Sequence, residues 1–308
     1  MRSKNASVGQ QHYPTVTVGI PAHNEEANIK QLLLSILSQH EIGFTLDAVY
    51  VVFDGSTDHT ANEARSVMND RVHFIANKSR MGQAYAQNLI FEIAKSDVVV
   101  ILEADTNPRD MNYLTNLIEP IVANDQVGLV QGNSTPLPGQ TTLGDILKSQ
   151  IDIYHTASIN DRGVRDWITS GRGGRAFTQN VYTTMRWPNA VPEDSYALLW
   201  CRTHGIPTIF QESAVCYFRC SETFSDFLKE RAKVSSAKKA LEHYFPKNDV
   251  QKIFTRPLYL RVRMLSKLVF YHPFHSICYL FLDFILLFFN GENQFSDFWE
   301  ATVSTKKL

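Results

Sequence analysis

The sequence has no internal repeat, no low-complexity tract, no Cys-x-x-Cys pair and no excess of either charge. Each absence excludes something. Thirty Lys and Arg against 31 Asp and Glu give a formal net charge of −1, so no nucleic-acid partner is expected. The cysteines are only four: Cys201, Cys216, Cys220 and Cys278. The Cys216/Cys220 spacing would hold a soft metal only with two further ligands, and none stands nearby in sequence. Reduced, buried thiols of a reducing compartment are expected instead. Residues 1–13 are polar and lack the apolar core of a secretory signal. Ile20–Glu25, which follows the first apolar run, contains no glycine. A GxGxxG dinucleotide loop and the Gly-rich phosphate loop of a nucleotidyltransferase are therefore missing at that place.

What remains is a chain of 308 residues, 44 % hydrophobic and 20 % charged, enough for one large domain with an appendage. The neutral total hides an asymmetry. From Phe227 to His272 there are eleven Lys/Arg against three Asp/Glu, a local +8, so the rest carries −9. A basic segment beside an apolar one is what an anionic membrane surface attracts.

The first half alternates β-branched runs with helical patterns. Strands are expected at Thr15–Ile20, Ala48–Phe53, Val72–Ala76, Val98–Leu102 and Val127–Val130. Between them, helices are expected after Asn24, which can serve as a cap, and at Thr60–Met68, Gln83–Ala94 and Met111–Val122. This alternation predicts an α/β fold, a mostly parallel central sheet with helices on both faces. The unbroken apolar run Val98–Leu102 fits a strand buried on both sides. Further on, Gln140–Asn160, Asp194–Thr203 and Thr223–His243 read as helices, Gly171–Arg175 as a loop, and Thr208–Phe210 and Ala214–Phe218 as strands.

Ligands of such sheets bind at the carboxyl ends of the strands. Four polar segments fall there: Pro21-Ala22-His23-Asn24-Glu25, Asp54-Gly55-Ser56, Asn77-Lys78-Ser79-Arg80 and Glu103-Ala104-Asp105. Each alone could be a turn or a cap; their joint occurrence in order points to a site. Two carboxylates at i and i+2 closing a buried strand are costly unless paired or bound to a cation. Hard oxygen ligands suit Mg²⁺ or Mn²⁺, which bridge to phosphates.

On these segments the chain resembles the family-2 glycosyltransferases, which have the GT-A fold; the resemblance runs from about Thr15 to Val234. The family's first strand ends in Pro-x-x-Asn-Glu, matched by Pro21–Glu25. Its Asp-Asp-Gly-Ser-x-Asp reads Phe53-Asp54-Gly55-Ser56-Thr57-Asp58 here, which keeps the Asp that contacts the nucleotide as Asp54. The stretch Asn77–Asn88 keeps Gly82, Ala86 and Asn88, with Gln83 where Lys is common and Lys78 or Arg80 as the nearby cations. The Asp-x-Asp metal motif becomes Glu103-Ala104-Asp105, with Asp105 as the implied metal ligand. Glu193-Asp194 matches the family's Glu-Asp motif, whose Asp is the catalytic base. The resemblance therefore implies donor contacts at Pro21, Ala22, Asn24, Glu25, Asp54, Arg80, Gly82, Glu103, Ala104 and Asp105, with Asp194 as base. Acceptor or phosphate contacts are expected from Gly173, Arg175, Glu193, Arg231 and Lys233. Glu230–Val234 keeps only the basic character of the processive synthases' Gln-x-x-Arg-Trp, so a non-processive enzyme is expected.

The implied activity is metal-dependent, inverting transfer from a nucleotide-diphosphate sugar, of the UDP-sugar class, to a lipid-linked, glycan or other hydroxyl acceptor. A non-catalytic binding protein of the same fold is the alternative; it would keep Asp54 and Asp105 but have no use for Asp194. A nucleotidyltransferase is a second rival. The expected organisation is a polar tail at 1–13, a GT-A domain at 14–245 with a nucleotide-sugar half (14–131) and an acceptor half (132–245), and a membrane-associating region at 246–308. That last region holds a basic amphipathic helix, Leu258–Val269, and the apolar stretch Phe270–Phe289, interrupted by His272, Pro273, His275 and Asp283. It is followed by Phe298-Trp299-Glu300 and Lys306-Lys307, similar to the tail of membrane-bound members. The cytoplasmic face of the cell membrane is the expected location.

Overall fold

A computed structural model describes residues 13–169, 171–286, 303–306 and 308. The chain opens with β1 (Thr15–Ala22), α1 (Ile29–Leu37), β2 (Thr45–Asp54), α2 (Thr60–Arg65), β3 (Val72–Asn77), α3 (Gln83–Ile93) and β4 (Val98–Ile101). It continues through β5 (Asn107–Pro108), α4 (Tyr113–Ala123), β6 (Leu129–Pro136), α5 (Thr142–Ile159), α6 (Arg162–Arg165), β7 (Arg175–Thr178) and α7 (Gln179–Tyr182). Then follow α8 (Glu193–Thr203), β8 (Thr208–Phe218), α9 (Phe224–Leu241), α10 (Lys247–Phe254), α11 (Leu258–Tyr271) and α12 (Pro273–Leu286).

The described strands form one eight-stranded sheet in the order β3-β2-β1-β4-β7-β6-β8-β5. The pairs β3–β2, β2–β1 and β1–β4 are parallel, as is β6–β8, while β7 runs against both β4 and β6 and β5 runs against β8. The sheet is thus mixed, with antiparallel strands inserted in the half beyond β4. The apolar runs are continuous in β1 and β4 because helices cover both faces. All four residues of β4, Val98–Ile101, are buried. Each such side chain contributes roughly 1.5–3 kcal/mol by leaving water. On one face Val16, Val18 and Ile20 pack with Leu32, Leu33 and Ile36 of α1 and Leu114 and Leu117 of α4. On the other face Val99 and Ile101 pack with Ile90 and Phe91 of α3 and Leu198 of α8. Val250 and Ile253 of α10, beyond residue 245, join this second core.

Three expectations are corrected. Asn24 does not cap a helix: it has φ 55°, and α1 starts only at Ile29, after Asn28. The Asn24 side chain instead accepts from the backbone N–H of Thr57 at 2.8 Å, tying the loop after β1 to the turn after β2. Arg175 does not end a loop but begins β7, a strand of four residues, too short to show a period. The two strands expected at 208–210 and 214–218 are one, β8, bulged so that Gln211 faces Gly132 and Val215 faces Asn133. The apolar stretch from Phe270 is interrupted where its sequence implies: α11 ends before His272, and Pro273 starts α12. Among the described residues no helix is long and apolar enough to cross a membrane. Residues 1–12 of the polar tail, 287–289 of the apolar stretch and 298–300 lie outside the described residues.

Candidate active site

The carboxyl ends of β1, β2 and β4 open into a cleft of about 850 Å³, closed on its far side by α5, α8, α9 and α12. Pro21, Ala22, Glu25, Asp54, Arg80, Glu103, Ala104 and Asp105 line it from the sheet, and Glu193, Asp194, Arg231 and Lys233 from the helices. So twelve of the sixteen residues singled out from the sequence meet there. The other four support it from behind. Asn24 holds the Thr57 N–H. Gly82, at φ 95°, turns its N–H onto Oδ2 of Asp54 at 2.8 Å, a conformation that glycine adopts without strain. Gly173 accepts from the Tyr113 hydroxyl at 2.8 Å. Arg175 is fully buried, and none of its guanidinium nitrogens has a hydrogen-bond partner among the described residues.

Asp54 organises the rim. Its Oδ1 accepts from Asn77 Nδ2 at 3.1 Å and from the Met81 N–H at 2.7 Å, while Oδ2 takes Gly82. The loop from Asn77 to Gly82 is thereby wrapped around one carboxylate, which leaves Arg80 on the cleft wall. His23 also lines the cleft, with Nδ1 2.7 Å from the Asp54 carbonyl oxygen; burial pulls its pKa below the ordinary value.

Glu103 and Asp105 sit in the turn that closes β4, where Thr106 donates from its N–H and hydroxyl to the Glu103 carbonyl. The Glu103 carboxylate accepts from Gln83 Nε2 at 3.0 Å. Burial, then the charge of Asp105, raises the Glu103 pKa, against the pull of Arg175 and Arg172. Glu25 is pushed up to about 7 by burial and by Asp105, against the pull of Lys306. Asp105 itself has no hydrogen-bond partner among the described residues. Seven carboxylates and five Lys or Arg side chains line the cleft, and burial raises the pKa of three of the carboxyl groups, Glu25, Glu103 and Glu193. Among the described residues no three His, Cys, Asp or Glu side chains form a ready-made metal cage. A hard divalent cation does not need one, since one or two carboxylates, phosphates and water can complete its shell.

Asp194 stands in the first turn of α8; its Oδ1 accepts from the N–H of Ser195 at 2.7 Å and from its hydroxyl at 3.2 Å. Its neighbour Glu193 is buried, and burial pushes its pKa up to about 8. Gly171 lies against both carboxyl groups of the centre: a Cβ there would be 3.5 Å from Oε1 of Glu103 and 3.7 Å from Oδ2 of Asp194.

The glycine-rich loop reaches the cleft through Gly171 and Arg172, whereas Gly173 and Arg175 were the residues expected to touch an acceptor. Arg172 pairs with Glu230 at 3.0 Å and lies over the Phe218 ring, 4.7 Å from its centroid. Position in the loop could not separate the two arginines; the start of β7 does, because it turns Arg175 into the core. Lys306 and Thr305 also line the cleft, and no sequence signal placed them there.

The sequence pattern described as Glycosyl transferase family 2 matches residues 17–154. The probable glycosyltransferase YdaM of Bacillus subtilis is 29 % identical over 135 residues, which cover 42 % of this chain and 32 % of the relative. The chain thus spans about a third or less of the length of the curated relatives it matches. Among solved structures, a mannosyltransferase from Pyrobaculum calidifontis in complex with GDP-Man and Mn²⁺ superposes with a TM-score of 0.63 at 19 % identity, covering 91 % of this chain and 82 % of that one. Glucosyl-3-phosphoglycerate synthase from Mycobacterium tuberculosis, in complex with Mn²⁺, UDP and glucosyl-3-phosphoglycerate, gives 0.51 at 19 % identity, covering 74 % and 79 %. These likenesses carry the fold, that of GT-A enzymes. Glu193-Asp194 and Glu230–Val234 lie beyond the matched residues 17–154.

Proposed function

We infer that this chain, whose residues 17–154 form a family-2 glycosyltransferase domain, transfers a sugar from a nucleoside-diphosphate sugar to an acceptor hydroxyl with inversion. The observation that carries this reading is the convergence of Glu103, from the end of β4, and Asp194, from α8, on Gly171. It sets a candidate base from the second half of the chain beside the candidate donor carboxylates of the first. In this reading Asp54 and the loop it holds bind the nucleotide, and Arg80 faces its phosphates. Asp105, with the donor diphosphate, would hold Mg²⁺ or Mn²⁺, which supplies charge to the leaving group. Asp194 takes the proton of the acceptor hydroxyl as its oxygen bonds to the anomeric carbon. The bond from that carbon to the diphosphate breaks on the opposite side, so the configuration inverts. Glu193, kept protonated near neutrality by burial, adds no second charge beside Asp194. Arg172, Arg231 and Lys233 form a basic acceptor end beside Tyr154 and Phe227, suited to an anionic, partly apolar acceptor such as a lipid phosphate.

The acceptor class is linked to a second proposal, that α11 and α12 rest on an anionic membrane surface. Phe270, Phe274, Ile277 and Phe281 are each more than 60 % exposed, and Arg261 and Arg263 of α11 are exposed among them. An exposed apolar face interleaved with cations is the pattern of an interfacial helix pair. Tyr279 of α12 lines the cleft, so an acceptor at that surface would meet the basic end directly.

A panel of nucleotide sugars, assayed for nucleoside-diphosphate release with and without Mn²⁺ and with membrane extract as acceptor, tests the reading. Metal-dependent release from one donor, raised by the extract, is expected. Tight binding of a donor without turnover would favour the non-catalytic alternative.

A further inference from the structure

Ser304, Lys306 and Leu308 tie the two halves of the cleft together. On one side Ser304 donates from its N–H and its hydroxyl to Oδ2 of Asp226, at 3.0 and 2.6 Å, and its hydroxyl oxygen accepts from the Glu222 N–H at 3.1 Å. These contacts flank the start of α9. On the other side the Lys306 carbonyl accepts from Asn28 Nδ2 at 2.8 Å, and the Leu308 N–H donates to Asn28 Oδ1 at 3.2 Å. Between them, Lys306 Nζ donates to Oε1 of Glu25 at 2.7 Å, to the Asn24 carbonyl at 2.8 Å and to the His23 carbonyl.

An ammonium has three N–H donors, and here three acceptors of the loop after β1 face it. We propose that Lys306 is a positioning residue that fixes the His23–Glu25 loop in its donor-binding form, so that Lys306, held in place through Ser304, is part of the donor site. The inference rests on the cleft being a nucleotide-sugar site, as proposed above. Two successive carbonyls turned to one point, next to Asn24 at φ 55°, make a loop shape with a specific cation at its centre. Glu25 is buried, with Asp105 as a like charge nearby. Without the ammonium this carboxylate loses its ionic partner, and the two carbonyls lose the donor they share. The same loop carries His23, which lines the cleft and is joined to Asp54. A shift of the loop therefore moves the nucleotide wall. Lys306 is built into that wall rather than lying across the opening, because its donors are all directed at the loop.

The test is calorimetric titration of UDP and of GDP, each with Mn²⁺, into the full chain and into Lys306→Ala and Lys306→Arg, with kcat and KM for the donor and melting temperatures alongside. Lys306→Ala is expected to weaken the nucleotide that the parent binds by about tenfold or more, the scale of a lost charge-assisted contact. KM should rise in step while kcat stays within about twofold, the pattern of a binding rather than a transition-state defect. Lys306→Arg should keep most of the affinity. Unchanged affinity in Lys306→Ala overturns the proposal. So does tighter binding or faster turnover, which would make the segment an inhibitory plug. An equal loss in both variants that follows a fall in melting temperature also overturns it, in favour of a contact that only stabilises the fold. If the parent binds neither nucleotide, the nucleotide-sugar reading fails and this inference falls with it.

Discussion

Glu103 and Asp194 converge on Gly171, so that a methyl group at this glycine would stand 3.5 Å from one carboxylate and 3.7 Å from the other. Both distances are ordinary contacts, and Gly171 is not among the glycines with positive φ. Gly171→Ala should therefore fold with unchanged or slightly raised stability, since alanine restricts the unfolded chain by about 0.4–1 kcal/mol. Transfer should nevertheless fall on the order of tenfold or more, because a methyl between base and donor disturbs the reacting geometry. Urea unfolding and steady-state rates on the same preparation separate the two effects. Unchanged rates would mean that no reacting group passes between these carboxylates.

Asp105 ends the turn after β4 without a hydrogen-bond partner of its own among the described residues, as a group reserved for a cation would. Asp105→Ala should keep the fold and lose the Mn²⁺ dependence of nucleotide binding. Titration of UDP and GDP with and without Mn²⁺ checks this. An affinity that ignores Mn²⁺ in both the parent and the variant removes Asp105 from the metal.

The sheet side of this cleft was legible in the sequence because each apolar strand there ends in a polar motif. Pro21–Glu25, Asp54 and Glu103–Asp105 fall where the ends of β1, β2 and β4 place them. The opposite side was less so. β7 is four residues long and antiparallel, and it alone decides that Arg175 points into the core and Arg172 to the cleft. The bulge at Glu212–Ala214 of β8 broke the alternation that would have shown one strand. Asn24 looked like a cap because capping and left-handed turns favour the same residue types. Lys306 had no local signal at all: its partners are the carbonyls of His23 and Asn24 and the Glu25 carboxylate, fixed only by tertiary packing.

Glu193 gives a pH signature. Its folded pKa of about 8 lies above the ordinary glutamate value of 4.5, so the folded state holds a proton that the unfolded state releases in between. The stabilisation is fully present below the unfolded pKa and is lost as pH rises through about 8. Between pH 5.5 and 7.5 the parent should thus lose stability relative to Glu193→Gln by on the order of 1 kcal/mol per pH unit. Urea unfolding of both proteins at the two pH values measures the difference. A constant gap would mean that Glu193 is ionised in the fold.

The exposed side chains of α11 and α12 should hold the protein on anionic liposomes. Salt screens the arginines but not the apolar contact, so binding should persist in high salt. Phe274→Ser with Ile277→Ser should release the protein, as read by flotation. If the parent ignores liposomes and forms a dimer that these substitutions dissociate, the face is a contact between copies of the chain.

The most direct test of the account is single-turnover transfer by the parent and by Asp194→Asn, with the donor that the panel selects and the anomeric configuration of the product read by NMR. Asp194→Asn should bind donor as tightly as the parent and transfer it more slowly by about 10²-fold or more, the scale of a lost general base, and the parent should give an inverted product. Full activity in Asp194→Asn, or a product that retains the donor's configuration, would contradict it.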